Sequence, residues 1–328
     1  MNKRHTLTLA LAAAWLALAG SAAPALAQTK LKFAHVYETS EPYHKWALWA
    51  ADEIKKRTAG RYEMQVFPAS QLGKETDINQ GLTLGTVDVI YTGQAFAART
   101  HPPLAIGGAP FMFRDFDHWK KYAGSPVLAE LMEGYFKKGG NRPLSVTYYG
   151  VRHTTANKPI VKPEDMVGLK LRVPDAPLYA AYPKVLGANA TPIAFAEVYL
   201  ALQNKTVDAQ ENPLPTIEAK KFYEVQSHIN LTGHITEMLL TIVGGPTWSK
   251  LSDADKKAFE AVFKEAATKC TEDIAAAEQR LVDDFTTKYK KNVVRSDRAA
   301  IGAKFRAFHT GPDATWDKAL YERVQAIR

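Results

Sequence analysis

Apolar positions recur with two periods along this chain, and the switch between them predicts most of its elements. LKFAHVY (31–37) alternates apolar and polar residues in the manner of a strand. ETSE (38–41) leads to Pro42, which suits a first helical position. Trp46, Ala50 and Ile54 then share one helix face, and Gly60 is a natural stop. A second strand is predicted over 61–67. PASQLG (68–73) turns into a helix with Glu75 in its first turn and Ile78 and Leu82 on one side. A third strand, with a buried pattern, covers 87–91. Strand, helix, strand, helix, strand predicts a parallel α/β unit with right-handed crossovers.

Residues 102–140 are punctuated by Gly and Pro, with helices predicted at 115–123 and 126–137. A strand at 144–149 runs directly into GVRHTT (150–155). The stretch 168–213 then repeats the strand–helix–strand–helix–strand order. Two α/β halves are therefore predicted, with 149–152 as the first passage between them and the apolar run 238–243 as a return. The expected domains are 28–149 with about 238–277, and 150–237 with about 278–328. Ser252 and Asp255 resemble a capping box. Behind them Phe259, Val262, Ala266, Cys270, Ile274, Ala277, Leu281 and Phe285 continue an apolar stripe to about Lys290. A helix of about 38 residues would span ~57 Å, enough to brace both halves.

Composition narrows the class. At 328 residues, 46% hydrophobic and 23% charged, the chain fits a soluble globular protein of two ordinary domains. Lys3 and Arg4 precede an apolar run over 7–19, and Ala25-Leu26-Ala27 offers a small-x-small cleavage site. This pattern predicts a secretory signal peptide, too short and wrongly flanked for a membrane span, with cleavage near Ala27 and a periplasmic mature protein. A lone Cys270 precludes an intramolecular disulfide, and its place on the apolar stripe predicts an inert core thiol. Loss of Lys3 and Arg4 lowers the formal charge from +8 by two, leaving a mildly basic surface. Its charges are interspersed rather than blocked, which favours acidic ligands and gives no nucleic-acid footprint.

No G-x-S-x-G, H-E-x-x-H, Walker, G-x-G-x-x-G or C-x-x-C pattern occurs. The nine histidines lack ligand spacing, so no metal and no cofactor are expected; His35, His153 and His234 fall near predicted strand ends, where α/β clefts form. What remains is a set of polar groups at those ends. Arg152 and Arg172 supply cationic forks, Asn212 a donor and an acceptor, and Glu75 and Asp175 acceptors for hydroxyls. Arg172 lies within an apolar strand predicted at 169–173, where its guanidinium needs an anion or several acceptors. From the residues alone, a neighbouring Asp or Glu would satisfy it as well as a ligand carboxylate gripped by its planar fork. Phe195 likewise reads equally as core packing or as an apolar face for a sugar ring. The turn at 70–73 offers backbone N–H groups at a helix start. Such an inventory binds a small anion without transforming it. The enzymatic alternative is a secreted hydrolase of sugar acids using Glu75 and Asp175 as a carboxylate pair.

FPASQLG (67–73), LGTVD (84–88), APFMFRD (109–115), GVRHTTAN (150–157), GLKLRVPDA (168–176), GANATPIAFAEVYLALQ (187–203), VDAQENP (207–213) and KFYEVQ (221–226) stand in order along nearly the whole mature chain. In these runs the chain closely resembles the solute-binding proteins of tripartite ATP-independent periplasmic (TRAP) transporters. The resemblance implies a two-domain protein that closes a cleft on its ligand, with a long helix crossing both domains. It implies that Arg172 makes the main salt bridge to a ligand carboxylate, that Arg152 assists and that Asn212 hydrogen-bonds the ligand. Phe195 matches the aromatic that packs on ligand in the sialic-acid-binding branch. Asp175 stands where that branch has asparagine, and Thr92-Gly93-Gln94 replaces a segment carrying a glutamate, so a different acid is implied. With His35 and Gln94, the candidate ligand-binding set is Arg172, Arg152, Asn212, Glu75, Asp175, Phe195, His35 and Gln94. One carboxylate plus several hydroxyls fits this set, so a hexuronate such as D-glucuronate or D-galacturonate is expected. Another sugar acid comes next, then a C4-dicarboxylate or 2-oxo acid. The implied partners are the small and large membrane subunits of the permease, the protein itself being monomeric; service to a membrane sensor is the remaining alternative.

Overall fold

In the computed structural model, which describes residues 28–328, the first half runs β1 (Thr29–Ala34), α1 (Pro42–Arg57), β2 (Tyr62–Phe67), α2 (Glu75–Leu84) and β3 (Val89–Gly93). The expected signal peptide lies outside the described residues. β1 pairs in parallel with both β2 and β3, as the crossover pattern predicts. Then α3 (Gln94–Ala97), a 3-10 turn (Pro102–Gly108), α4 (Phe116–Ala123) and α5 (Pro126–Gly139) lead to β4 (Arg142–Ala156). The second half holds β5 (Lys170–Val173), α6 (Ala181–Val185), β6 (Asn189–Pro192), α7 (Val198–Gln203) and β7 (Ala209–Pro213), again with parallel pairing of β5 to β6 and β7. The chain continues through α8 (Leu214–Ala219), α9 (Phe222–Val225), β8 (His228–Val243), α10 (Gly245–Trp248), α11 (Asp253–Thr287), β9 (Asn292–Arg295), α12 (Arg298–Ala303), α13 (Arg306–His309) and α14 (Lys318–Gln325).

All nine strands join one sheet, ordered β2-β1-β3-β8-β4-β7-β5-β6, with β9 beside β8. The two central strands belong to both lobes. Residues 142–148 of β4 face 238–243 of β8, with β3 beyond; residues 152–156 of β4 face 228–235 of β8 and also pair with β7. The ladder slips between Tyr148 and Gly150 and again between Arg152 and Thr154, where the sheet passes from one lobe to the other. Such irregularities bend a strand and re-aim its side chains. At the bend Gly150 takes φ +119°, and a Cβ there would lie 2.7 Å from both Glu278 Oε1 and Pro213 Cβ. Only glycine fits that backbone and that space.

The long helix starts as the capping pattern predicts: Ser252 Oγ accepts the N–H of Asp255 at 3.1 Å. Its 35 residues span ~52 Å. Phe259, Phe263, Cys270 and Ile274 pack into the core of the first lobe, whereas Leu281 and Phe285 join the second-lobe cluster around Val198, Leu214 and Phe222. One helix thus braces both lobes. The C-terminal segment divides differently from the expected boundary. Ile301 and Phe305 pack with the β5 core, but Trp316 and Val324 return to the first lobe, where Arg114 donates to the carbonyls of Gln325 and Ile327 at 3.1 and 2.6 Å.

Candidate ligand-binding cleft

A cleft of about 520 Å³, solvent mouth included, opens where the carboxyl ends of β1, β3, β5 and β7 converge between the lobes. Open α/β sheets bind ligands at such strand ends. Tyr37 comes from just beyond β1, Glu75 from the start of α2, Gly93 from the end of β3, Pro174 and Asp175 from just beyond β5, and Asn212 from β7; all line the cleft with Arg152, Arg172 and Phe195.

The two arginines are both buried, and their surroundings differ sharply. Arg152 is ion-paired through Nε and Nη2, and its Nη1 lies 3.9 Å from Glu237 Oε2. Its Nε donates to Glu211 Oε2 at 2.5 Å, and Nη2 donates to Glu211 Oε1 at 2.7 Å and to the Glu211 carbonyl at 2.8 Å. Burial alone would depress its pKa, but the carboxylate beside it holds the value well above the ordinary one. Glu211 shows the reciprocal effect: burial opposes its ionisation, yet Arg152 and the His234 hydrogen bond at 3.0 Å hold it down to about 2. Among the described residues, no carboxylate is in hydrogen-bonding contact with Arg172. Nε and Nη2 both donate to one neutral acceptor, the carbonyl of Ile193, at 2.9 and 2.6 Å. Nη1 is buried without a protein partner. Burial, with Arg152 nearby, lowers the Arg172 pKa to about 10. The Nη1 edge, with the second N–H of Nη2, is therefore a desolvated cationic fork facing the cleft.

Around this fork the cleft offers acceptors and ring faces. Glu75 Oε1 accepts from Thr92 Oγ1 at 2.9 Å and from the Gly93 N–H at 2.8 Å, which orients the carboxylate and leaves its second oxygen for a ligand. Burial raises its pKa against the pull of those two donors. Asn212 donates to Gln210 Oε1 at 2.7 Å and accepts from Tyr149 Oη at 3.2 Å, so one amide hydrogen remains. Phe195 lies within 6.3 Å of the Tyr37 ring, and Lys220 Nζ sits 5.2 Å from its centroid. Asp175 reaches the cleft but also meets Arg99, whose Nη2 donates to its carbonyl at 2.6 Å and lies 3.6 Å from Oδ1.

Six of the eight candidate residues thus share one cleft; His35 and Gln94 do not line it. His35 is buried beneath Tyr37, its ring stacked at 5.9 Å and its Nε2 bonded to His44 Nδ1 at 3.2 Å. Burial and His44 push its pKa down to about 3. Gln94 begins α3 and packs against the backbone of Gly107, where an added Cβ would lie 1.9 Å from its Oε1. Neither do the N–H groups of the 70–73 turn face a ligand as expected: Ser70 donates to the His35 carbonyl, and Gly73 to that of Ser70. Tyr149, Tyr179 and Glu237 line the cleft without having been singled out in the sequence. Tyr179 Oη donates to Glu237 Oε2 at 2.8 Å, and burial raises the Glu237 pKa to about 7. Tyr149 and Glu237 fall at the passage between lobes, which was their one sequence signal, whereas Tyr179 lies in a 3-10 turn at 177–180 and had none.

Two lobes joined by shared strands, with a desolvated cation between them, define the class of bilobed receptors for small anionic solutes. The family profile of bacterial extracellular solute-binding proteins, family 7 (DctP), matches residues 33–310, and the chain belongs to that family. A solute-binding protein of Roseobacter denitrificans is 36% identical over 252 residues, 77% of this chain and 76% of its own. The sialic acid-binding periplasmic protein SiaP of Vibrio cholerae is 35% identical over 268 residues, covering 82% and 84% of the two chains. A TRAP periplasmic solute-binding protein of Polaromonas, solved with D-erythronate, superposes at TM-score 0.87 with 32% identity, covering 92% of this chain and 99% of that one. By its family the protein is a TRAP solute-binding receptor for small acids rather than an enzyme.

Proposed function

We propose that this protein captures a sugar acid bearing one carboxylate and several hydroxyls outside the cytoplasmic membrane and delivers it to the small and large permease subunits of a TRAP transporter. A hexuronate such as D-glucuronate or D-galacturonate is the favoured ligand. The observation that carries this is the Arg172 fork, buried with Nη1 unpartnered and with a neutral carbonyl as the arginine's sole hydrogen-bond acceptor. A carboxylate there would gain two charge-assisted hydrogen bonds and offset the desolvation of a buried charge. Arg152 is neutralised by Glu211 and positions the site rather than gripping a second carboxylate, which argues against a dicarboxylate. The free oxygen of Glu75 takes ligand hydroxyls, and the Phe195 and Tyr37 faces suit a pyranose ring. An open-chain aldonate is the second reading, favoured by the D-erythronate held by the Polaromonas relative.

The mature protein is expected in the periplasm as a monomer after cleavage near Ala27. Thermal shift and calorimetry against D-galacturonate, D-glucuronate, L-galactonate, D-erythronate and succinate test the ligand. An acid at about 100 times its dissociation constant should stabilise the protein by about 2.7 kcal/mol. A response to succinate alone would overturn the sugar-acid reading; a response to aldonates alone would replace the hexuronate.

A further inference from the structure

Among the described residues, ion pairs beside the cleft run from one lobe to the other at two places. Lys220, at the end of α8 in the second lobe, donates through Nζ to Glu38 Oε1 at 2.7 Å; Glu38 follows Tyr37 beyond β1 of the first lobe. The pair is largely shielded, the side chains being 14% and 29% exposed. The same ammonium lies 5.2 Å from the centre of the Phe195 ring, a cleft wall. At the second place Arg99, just beyond α3 of the first lobe, holds the Asp175 carbonyl at 2.6 Å. That pair is about half exposed, and it divides the cleft, which Asp175 lines, from a wider groove behind, which Arg99 lines.

We propose that Lys220–Glu38 and Arg99–Asp175 form a two-point latch that holds the closed lobes on the bound acid and sets how long it stays. The inference rests on the reading of the cleft as the solute site. Lys220, Glu38 and Arg99 do not line the cleft, so their contribution acts through closure. Lys220 is a positioning residue: its stem and charge fix the Phe195 ring while its ammonium reaches the opposite lobe. A contact made only when the lobes meet slows dissociation without guiding encounter, so the effect belongs in the off-rate. The shielded Lys220–Glu38 pair should carry more of it than the half-exposed pair, whose charges water and salt screen.

The test is a double-mutant cycle of Lys220→Met and Glu38→Gln, with stopped-flow release of whichever sugar acid the parent protein binds. Each single variant should raise the dissociation rate about three- to ten-fold, with the association rate changed less than about two-fold. The double variant should be no worse than the worse single one, and Lys220→Arg should restore most of the parent rate. Additive losses, or a loss in the association rate, would overturn the latch. A second readout needs no ligand. Leu84 and Val167 are exposed residues on opposite lobes, and spin labels at Leu84→Cys and Val167→Cys report lobe separation. Lowering the salt from 500 to 20 mM NaCl should enlarge the short-distance population in the parent more than in a Lys220→Met, Arg99→Ala background. An identical response in both would sink the latch even if no acid binds, whereas failure to bind any acid bears on the solute-site reading alone.

Discussion

Replacement of either buried arginine by methionine separates an anchor from a structural ion, because the two substitutions should act in opposite ways. In Arg172→Met the protein loses a cation that it holds at a cost. The fall in pKa from an ordinary 12.5 to about 10 corresponds to roughly 3 kcal/mol against the charged form. A base with a depressed folded-state value carries that cost wherever it is charged, which here means at any pH below about 10. Against this, the Ile193 carbonyl loses both of its donors from Arg172, worth about 1–3 kcal/mol. The ligand-free variant should therefore stay within about 2 kcal/mol of the parent. Acid affinity should fall at least ~100-fold, since two charge-assisted hydrogen bonds are worth about 3 kcal/mol or more together. Arg152→Met should do the reverse to stability, costing about 3–5 kcal/mol by leaving Glu211 buried without its partner. Urea denaturation of the ligand-free proteins and calorimetry with the bound acid read both quantities. Arg172→Lys, which keeps the charge without the planar fork, should also bind poorly. A stable Arg172→Met that retained affinity would refute the anchor, and a loss of 3 kcal/mol or more in its ligand-free form would make Arg172 a structural ion.

Three other outcomes follow from single side chains. Glu237, fully buried with its pKa raised to about 7, favours the folded state when protonated; that stability is complete below about pH 4.5 and lost as pH rises through 7. Glu237→Gln should flatten this part of the pH–stability profile, with a gain of roughly 2–3 kcal/mol at pH 8, and should remove any weakening of acid binding above pH 7; an unchanged profile would contradict the burial argument. Gly150→Ala forces a Cβ to within 2.7 Å of Glu278 and Pro213 at φ +119°, so it should cost about 1–3 kcal/mol and slow ligand-induced closure as seen by small-angle scattering. Cys270 is buried on the long helix, with its thiol pushed well above the ordinary pKa; it should resist a thiol reagent until the protein unfolds, and rapid labelling of the native protein would show the helix to be open there.

The fold was legible where periodicity is local. The capping serine at 252 and the apolar stripe from Phe259 to Phe285 located the long helix, because cap chemistry and a helical stripe are properties of neighbouring residues. The parallel crossovers of the first lobe followed from strand and helix order in the same way. Two features escaped because distant partners create them. The strand predicted at 144–149 and the GVRHTT segment are one strand, since β8 supplies a continuous partner across the bend at Gly150. The last helix returns to the first lobe because Arg114 and the core around Trp316 receive it there, and nothing in residues 316–328 names those partners.

The site shows the same division, with a sharper lesson in its charges. The residues alone brought Arg152 and Arg172 forward together as cationic forks, and only the family resemblance ranked Arg172 first. What separates them is the register of other strands. Pairing of β4 with β7 sets Arg152 opposite Pro213 and beside Glu211, whose carboxylate folds back onto it. Pairing of β5 with β6 sets Arg172 opposite Thr191, bonded to a carbonyl and, among the described residues, to no acid. Glu211 thereby neutralises one cation and leaves the other to the solute, so a single carboxylate placed by β7 determines how many anionic groups the cleft can hold. Moving that carboxylate out, as in Glu211→Gln, should free Arg152 and shift preference from one-carboxylate toward two-carboxylate ligands. Competition between a sugar acid and succinate would read this directly, and an unchanged ratio would show that Arg152 has no part in choosing the ligand.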